Sequence, residues 1–143
     1  MPKQQTAELK PFFHNKTVLV TGGTGSIGSQ IVKRLLLLTP KKVIVFSKDD
    51  SKQYVMSQKY AEDQRLSFVL GDVRDHRRVN QVMTGVDIVF HAAALKQVPT
   101  CEDNPFEAIQ TNLIGGQNVV EAALINGVQH VINISTDKAV SPV

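Results

Sequence analysis

Between Thr17 and Gly28 the chain reads TVLVTGGTGSIG, a β-branched apolar run followed by Gly22, Gly23, Gly25 and Gly28. Gly22, Gly25 and Gly28 stand at G-x-x-G-x-x-G spacing. A turn this tight needs residues that accept positive φ and carry no Cβ where a phosphate or a neighbouring strand comes close. A helix opening near Ser26 would aim its free N–H groups and the positive end of its dipole at a pyrophosphate. No lysine follows the last glycine, so the G-x-x-x-x-G-K pattern of triphosphate loops is not met, and a dinucleotide is the expected ligand. A plain flexible loop is the competing reading. The strand before the glycines and the amphipathic helix after them argue against it.

Five further sites carry chemistry. Ser47, Lys48, Asp49, Asp50, Ser51 and Lys52 follow an apolar run, where NAD-binding chains commonly place an acid for the ribose diol. Hydroxyls and lysines there suit a 2′-phosphate, which favours NADP. Asp49 stands close enough to the usual acid position to keep NAD open. The same residues also read as a helix start, with Ser47 as its cap. In GDVRD, Asp72 and Val73 could meet an adenine, or Asp72 could serve only a turn. Ala92, Ala93 and Ala94 are small enough for a cofactor to pass over, and Lys96 could meet a phosphate or a sugar hydroxyl. His91 reads as a packed strand-end histidine. Thr111 suits a ribose contact or plain helix packing. In Ser135-Thr136-Asp137-Lys138 an acid stands beside a base, which suits general acid/base catalysis or a surface turn.

The elements that position these residues follow from periodicity. Strands are expected at 17–21, 42–46, 66–70, 87–91 and 129–134, all short and apolar, as in a sheet buried on both faces. Ser26 to Leu38 reads as a helix with Ile31, Val32, Leu35 and Leu38 on one face, stopped by Pro40. Helices are also expected from Asp49 to Ala61, with Tyr54, Val55, Gln58 and Lys59 marking its register, from His76 to Met83, and from Pro105 to Asn126. Gly115 and Gly116 interrupt the last, and AAALKQVP reads as a loop. Alternation of this kind gives right-handed crossovers and a Rossmann-type, doubly wound parallel α/β sheet of order 3-2-1-4-5. Residues 1–15 are expected as a flexible arm and 16–143 as an NADP-binding domain.

Composition narrows the function classes. The 143 residues carry 16 Lys+Arg against 13 Asp+Glu, a net +3 that is too mild to argue for nucleic acid. Pairs such as Lys41-Lys42 and Arg77-Arg78 read as solvated surface. Cys101 is the single cysteine, so no internal disulfide forms; it is an inert half-buried thiol or a reactive one. The apolar run Leu35–Leu38 is far too short to span a membrane, and the first sixteen residues do not form a signal peptide. A cytoplasmic protein without metal is expected.

TGGTGSIG, GDVRD, HAAALKQVP, Thr111-Asn112 and Ser135 to Lys138 together closely resemble the extended short-chain dehydrogenases of polysaccharide biosynthesis. Within these the chain is most similar to the inverting UDP-N-acetylglucosamine 4,6-dehydratases, with or without 5-epimerase activity. The resemblance implies NADP contacted by Thr24, Gly25, Ser26 and Ile27, by Ser47 to Lys52, by Asp72 and Val73, and by Ala92, Lys96 and Thr111. It implies Thr136 as a substrate contact with Lys96, Asp137 as the acid, Lys138 as the base, and UDP-N-acetylglucosamine as substrate. Ser47-Lys48 stands where relatives often carry serine-arginine, which keeps the cation and loses the fork. The family's Tyr-x-x-x-Lys pair is expected soon after STDK, and the sequence given stops at Val143 before it; Tyr54 and Tyr60 lie on the wrong segment. The expectation is therefore the cofactor-binding part of a larger, homo-oligomeric enzyme, ending before the sixth strand and the substrate domain. A UDP-sugar 4-epimerase and a non-enzymatic NADP sensor are the alternatives.

Overall fold

The computed structural model describes residues 3–135. Strands β1 (Thr17–Thr21), β2 (Lys42–Ser47), β3 (Leu66–Leu70), β4 (Ile88–His91) and β5 (His130–Asn133) form one parallel sheet of order β3-β2-β1-β4-β5. Seven α-helices accompany them: α1 (Lys3–Phe13), α2 (Ser26–Leu35), α3 (Asp50–Lys59), α4 (His76–Val82), α5 (Val98–Asp103), α6 (Pro105–Ile109) and α7 (Gly115–Ile125). Leu36–Leu38 adds a 3₁₀ turn to α2, and Gln110–Ile114 joins α6 to α7 as a π turn.

The sheet is Rossmann-type, and side-chain alternation explains its strands. Val18 and Val20 of β1 face one way with Val43, Val45 and Ile88, packed by Val32, Leu35 and Met56 from α2 and α3. Leu19, Ile44, Phe46 and Val89 face the other way, against Val79 and Val82 of α4 and Val119, Ala122 and Ala123 of α7. With both faces covered, each central strand must be apolar throughout, and Val18, Leu19, Val20, Val43, Val45 and Val89 are wholly buried. The chain lays β2 and β3 on one side of β1, then crosses to β4 on the other. The crevice at this reversal is where open α/β sheets take their ligands.

Three expectations need correction. The segment read as a flexible arm is helical over Lys3–Phe13, because Phe13 is buried in the α2-side core and its ring lies 6.3 Å from that of Phe90. In α3 the inward positions are Gln53 and Met56, whereas Tyr54 and Val55 point outward. AAALKQVP is not all loop: Val98–Asp103 forms α5, with a proline in its first turn where the missing N–H costs nothing.

Candidate cofactor crevice

The glycine loop descends from β1 into α2 and is fixed by two close approaches. Gly22 has φ of 62°, and a Cβ there would stand 2.7 Å from the carbonyl oxygen of Ala92. A Cβ on Gly28 would stand 2.2 Å from the carbonyl oxygen of Gly22. The loop is thus clamped between the end of β4 and the first turn of α2, where no side chain fits. Gly25 caps α2 without a side-chain hydrogen bond, so the leading N–H groups of Ser26, Ile27 and Gly28 are left for an external acceptor.

Beside this loop lies a crevice of about 220 Å³. Of the residues singled out by sequence, it brings together Gly22, Thr24, Gly25, Ser47, Lys48, Asp49, Lys52, Asp72, Val73, Ala92 and Thr111. Five separate loops or helices contribute them, spread over 90 positions of sequence from Gly22 to Thr111. Ser26, Ile27 and Gly28 open α2 rather than line the crevice, and Lys96 lies in the segment after β4, outside its lining. Thr136, Asp137 and Lys138 lie outside the described residues.

At the β2 edge the Ser47 hydroxyl meets that of Thr24 at 2.8 Å and accepts from the Asp49 N–H at 3.1 Å, joining the glycine loop to the second strand. Asp49, not Ser47, caps α3, accepting from the Lys52 N–H at 2.9 Å and pairing with Lys52 Nζ at 2.8 Å. The side-chain bond from Lys52 holds its carboxyl below the ordinary range. That carboxylate is committed to its helix. Ser47, Thr24, Lys48 and Lys52 line the crevice here, with Lys52 Nζ paired to Asp49 and Lys48 Nζ 3.8 Å from Asp72.

At the β3 edge Asp72 Oδ1 accepts from the Arg74 N–H at 3.0 Å and Oδ2 accepts from Arg74 Nε at 2.9 Å, with Lys48 Nζ 3.8 Å away. Burial pushes this carboxyl up, but the Arg74 hydrogen bonds and the two cations outweigh it, and the group stays ionised below its usual range. On the far wall, in the π turn, Thr111 is buried and its Oγ1 has no hydrogen-bond partner among the described residues. A buried hydroxyl left unpaired is costly, and π turns inside helices recur at functional sites. His91 is packed, with Nδ1 2.6 Å from Thr21 Oγ1, and burial lowers its basicity.

Three amide side chains shape the crevice; Asn112 stood in the Thr111-Asn112 motif, whereas Gln53 and Asn118 carried no sequence signal. Gln53 donates from Nε2 to the carbonyls of Ser47 (3.0 Å) and Val69 (2.9 Å), tying the ends of β2 and β3 together. Asn112 donates to the Leu95 carbonyl and accepts from its N–H, holding the segment that bears Lys96. Asn118 donates to the carbonyls of Val73 and Arg74. A buried amide looks like any polar surface residue in sequence; only its backbone partners reveal it. Among the described residues no cluster of three metal-ligating side chains occurs, and no helix is long and apolar enough to cross a membrane.

A family model described as "Polysaccharide biosynthesis protein" matches residues 18–143. The chain is 48% identical over 136 residues to "Uncharacterized membrane protein MJ1061" of Methanocaldococcus jannaschii, covering 95% of this chain and 40% of that protein. It is 49% identical over 135 residues to the UDP-glucose 4-epimerase of Rickettsia bellii, covering 92% and 39%. Among solved structures it superposes on Pen from Bacillus thuringiensis with a TM-score of 0.88 and 43% identity, covering 92% and 40%. On DesIV of Streptomyces venezuelae, a dTDP-glucose 4,6-dehydratase with NAD and TYD bound, the TM-score is 0.72 at 31% identity, covering 80% and 38%. The chain therefore spans about 40% of the length of these relatives. Epimerases and dehydratases of nucleotide sugars both stand among them, and the chain belongs to the polysaccharide biosynthesis protein family within that epimerase/dehydratase superfamily.

Proposed function

We propose that the crevice binds NADP, and that the chain is the cofactor-binding part of a UDP-N-acetylglucosamine 4,6-dehydratase that inverts C5. The observation that carries the dinucleotide reading is the buried, unpartnered Thr111 Oγ1 in the same crevice as the uncapped glycine loop. The loop's N–H groups suit a diphosphate, and Thr111 is a ready partner for a ribose hydroxyl. Preference for NADP is supported by the β2 edge, where Asp49 is engaged with α3 while Ser47, Thr24, Lys48 and Lys52 present hydroxyls and cations. DesIV binds NAD, so this edge is where the two would differ.

The glycine loop, Ser47 to Lys52, Asp72, Val73, Ala92 and Thr111 would hold the dinucleotide, which would supply hydride-transfer chemistry for oxidation of the sugar at C4 and reduction at C6. The chain's part in the chemistry rests on the STDK motif. Lys138 in its neutral form would remove the C5 proton acidified by the neighbouring ketone, and Asp137 in its protonated form would give a proton to the departing C6 hydroxyl. Thr136 and Lys96 would hold the substrate. Both titratable groups would need shifted pKa values, of the kind that burial in a desolvated site gives.

A 4-epimerase is the second reading, favoured by the 49% identity to the Rickettsia protein. Mass spectrometry of UDP-N-acetylglucosamine and UDP-glucose incubated with the full-length protein separates the two: the dehydratase product has lost water, the epimerase product has unchanged mass. At the cofactor level, Lys48→Ala with Lys52→Ala is expected to weaken NADPH by roughly 10- to 100-fold and to leave NADH unchanged, each charge-assisted hydrogen bond being worth about 1.5–3 kcal/mol. Equal loss for both cofactors would contradict the assignment of these lysines.

A further inference from the structure

We propose that Asn118, which does not line the crevice, is the positioning residue that holds the loop after β3 in register to read the adenine of the dinucleotide. The inference rests on the dinucleotide reading above. Asn118 is buried in the first half of α7 and spends both hydrogens of its Nδ2 on consecutive carbonyls, Val73 at 2.9 Å and Arg74 at 3.1 Å. These are the two residues that follow Asp72. A side-chain amide satisfying two successive carbonyls fixes the direction of the peptide between them, and with it the Arg74 N–H that donates to Asp72 Oδ1.

The rest of the helix supports the same loop. A Cβ on Gly115 would meet Val73 Cγ2 at 2.7 Å, so α7 approaches this segment as closely as a backbone allows. Glu107 of α6 pairs with Arg74 Nη1, while Arg74 Nε and Nη2 hold Asp72 Oδ2. Arg74 thereby occupies Oδ2 and leaves one acceptor site on Oδ1, and Asp72 is among the residues that line the crevice. A single remaining acceptor, held in place, suits an exocyclic amino group. Loss of Asn118 frees the loop without touching any group that meets the ligand.

The test compares NADPH with reduced nicotinamide hypoxanthine dinucleotide phosphate, whose base carries a carbonyl where adenine carries its amino group. The wild-type chain is expected to prefer NADPH by about tenfold, the scale of one charge-assisted hydrogen bond. Asn118→Leu should reduce that preference to about twofold, and Asn118→Ser, which keeps one donor, should fall between. Asn118→Ser also serves if the leucine variant does not fold. A variant that weakens both cofactors equally and keeps the tenfold preference would overturn the positioning role. A wild type that binds both cofactors equally well would overturn the inference and leave the dinucleotide reading standing; a folded wild type that binds neither would overturn both.

Discussion

A hydroxyl buried without a partner pulls stability and binding in opposite directions. Thr111 Oγ1 is such a group, so Thr111→Val is expected to leave the melting temperature unchanged or raise it, since an unpaired buried hydroxyl costs about 1–3 kcal/mol. The same substitution should weaken NADPH by roughly 3- to 10-fold, for the loss of one ordinary hydrogen bond. A destabilised variant with unchanged cofactor affinity would mean that the side chain is only packing. Charge at single residues sets a second expectation. Asp49 and Asp63 are held below the ordinary carboxylate range by hydrogen bonds from Lys52 and Arg65, and Asp72 by Arg74 against the opposing effect of burial. A carboxyl with a depressed folded pKa contributes stability that is fully present above its unfolded value, near 3.9, and is lost as pH falls through the folded value. Melting temperature should therefore be flat with respect to these groups above about pH 5 and fall below about pH 4. In Asp63→Asn, whose partner Arg65 also donates to the Leu36 carbonyl, that acid slope should be shallower. An unchanged slope would remove Asp63 from the account.

At the scale of elements, the glycine loop is where local sequence and long-range packing meet. Gly28→Ala places a methyl 2.2 Å from the Gly22 carbonyl, backbone that cannot rotate away, and should cost about 1–3 kcal/mol or more in denaturant unfolding while abolishing cofactor binding. Phe13→Ala in α1 should cost about 3 kcal/mol, because Phe13 is buried beside Val43, Leu38 and Phe90. These two substitutions also mark what was legible in sequence. β-branched runs such as Val43-Ile44-Val45 identify strands because a doubly covered sheet has no solvent face, and the order of the sheet followed from crossover handedness. The helix of α1 was not legible: Phe12 meets His130 and Phe13 meets Phe90, and two adjacent aromatics in a polar segment make no helical period. The inward face of α3 was not legible from its apolar residues, since Tyr54 and Val55 are exposed and the inward Gln53 is polar. The π turn before Gly115 has no residue signature, being a change of hydrogen-bond register.

Across the whole molecule, one face of the α6–π–α7 segment stands open among the described residues. Phe106, Leu113 and Leu124 are 73%, 64% and 78% exposed, and Val131 on β5, at the edge of the sheet, is 40% exposed. Apolar side chains repeated along one helical segment, beside a sheet edge, favour association of the chain with itself. Sedimentation velocity should show species larger than a monomer that grow with concentration, and Leu113→Glu with Leu124→Glu should return the chain to a monomer without lowering its melting temperature. Monomer at all concentrations in the unaltered chain would contradict this. The distribution of function follows the same geometry. The crevice, the glycine loop and the amide-held loops all lie at the carboxyl end of the parallel sheet.

Cofactor binding at this end of the sheet is the direct test. The purified chain is titrated in parallel with NADPH and NADH at fixed salt, following the fluorescence of the reduced nicotinamide. Saturable binding of NADPH, tighter than NADH by about tenfold or more, is the predicted result, the 2′-phosphate adding charge-assisted hydrogen bonds from the β2 edge. Binding of NADH as tight as NADPH would contradict the role given to Ser47, Thr24, Lys48 and Lys52, and binding of neither by a folded chain would contradict the account of the crevice itself.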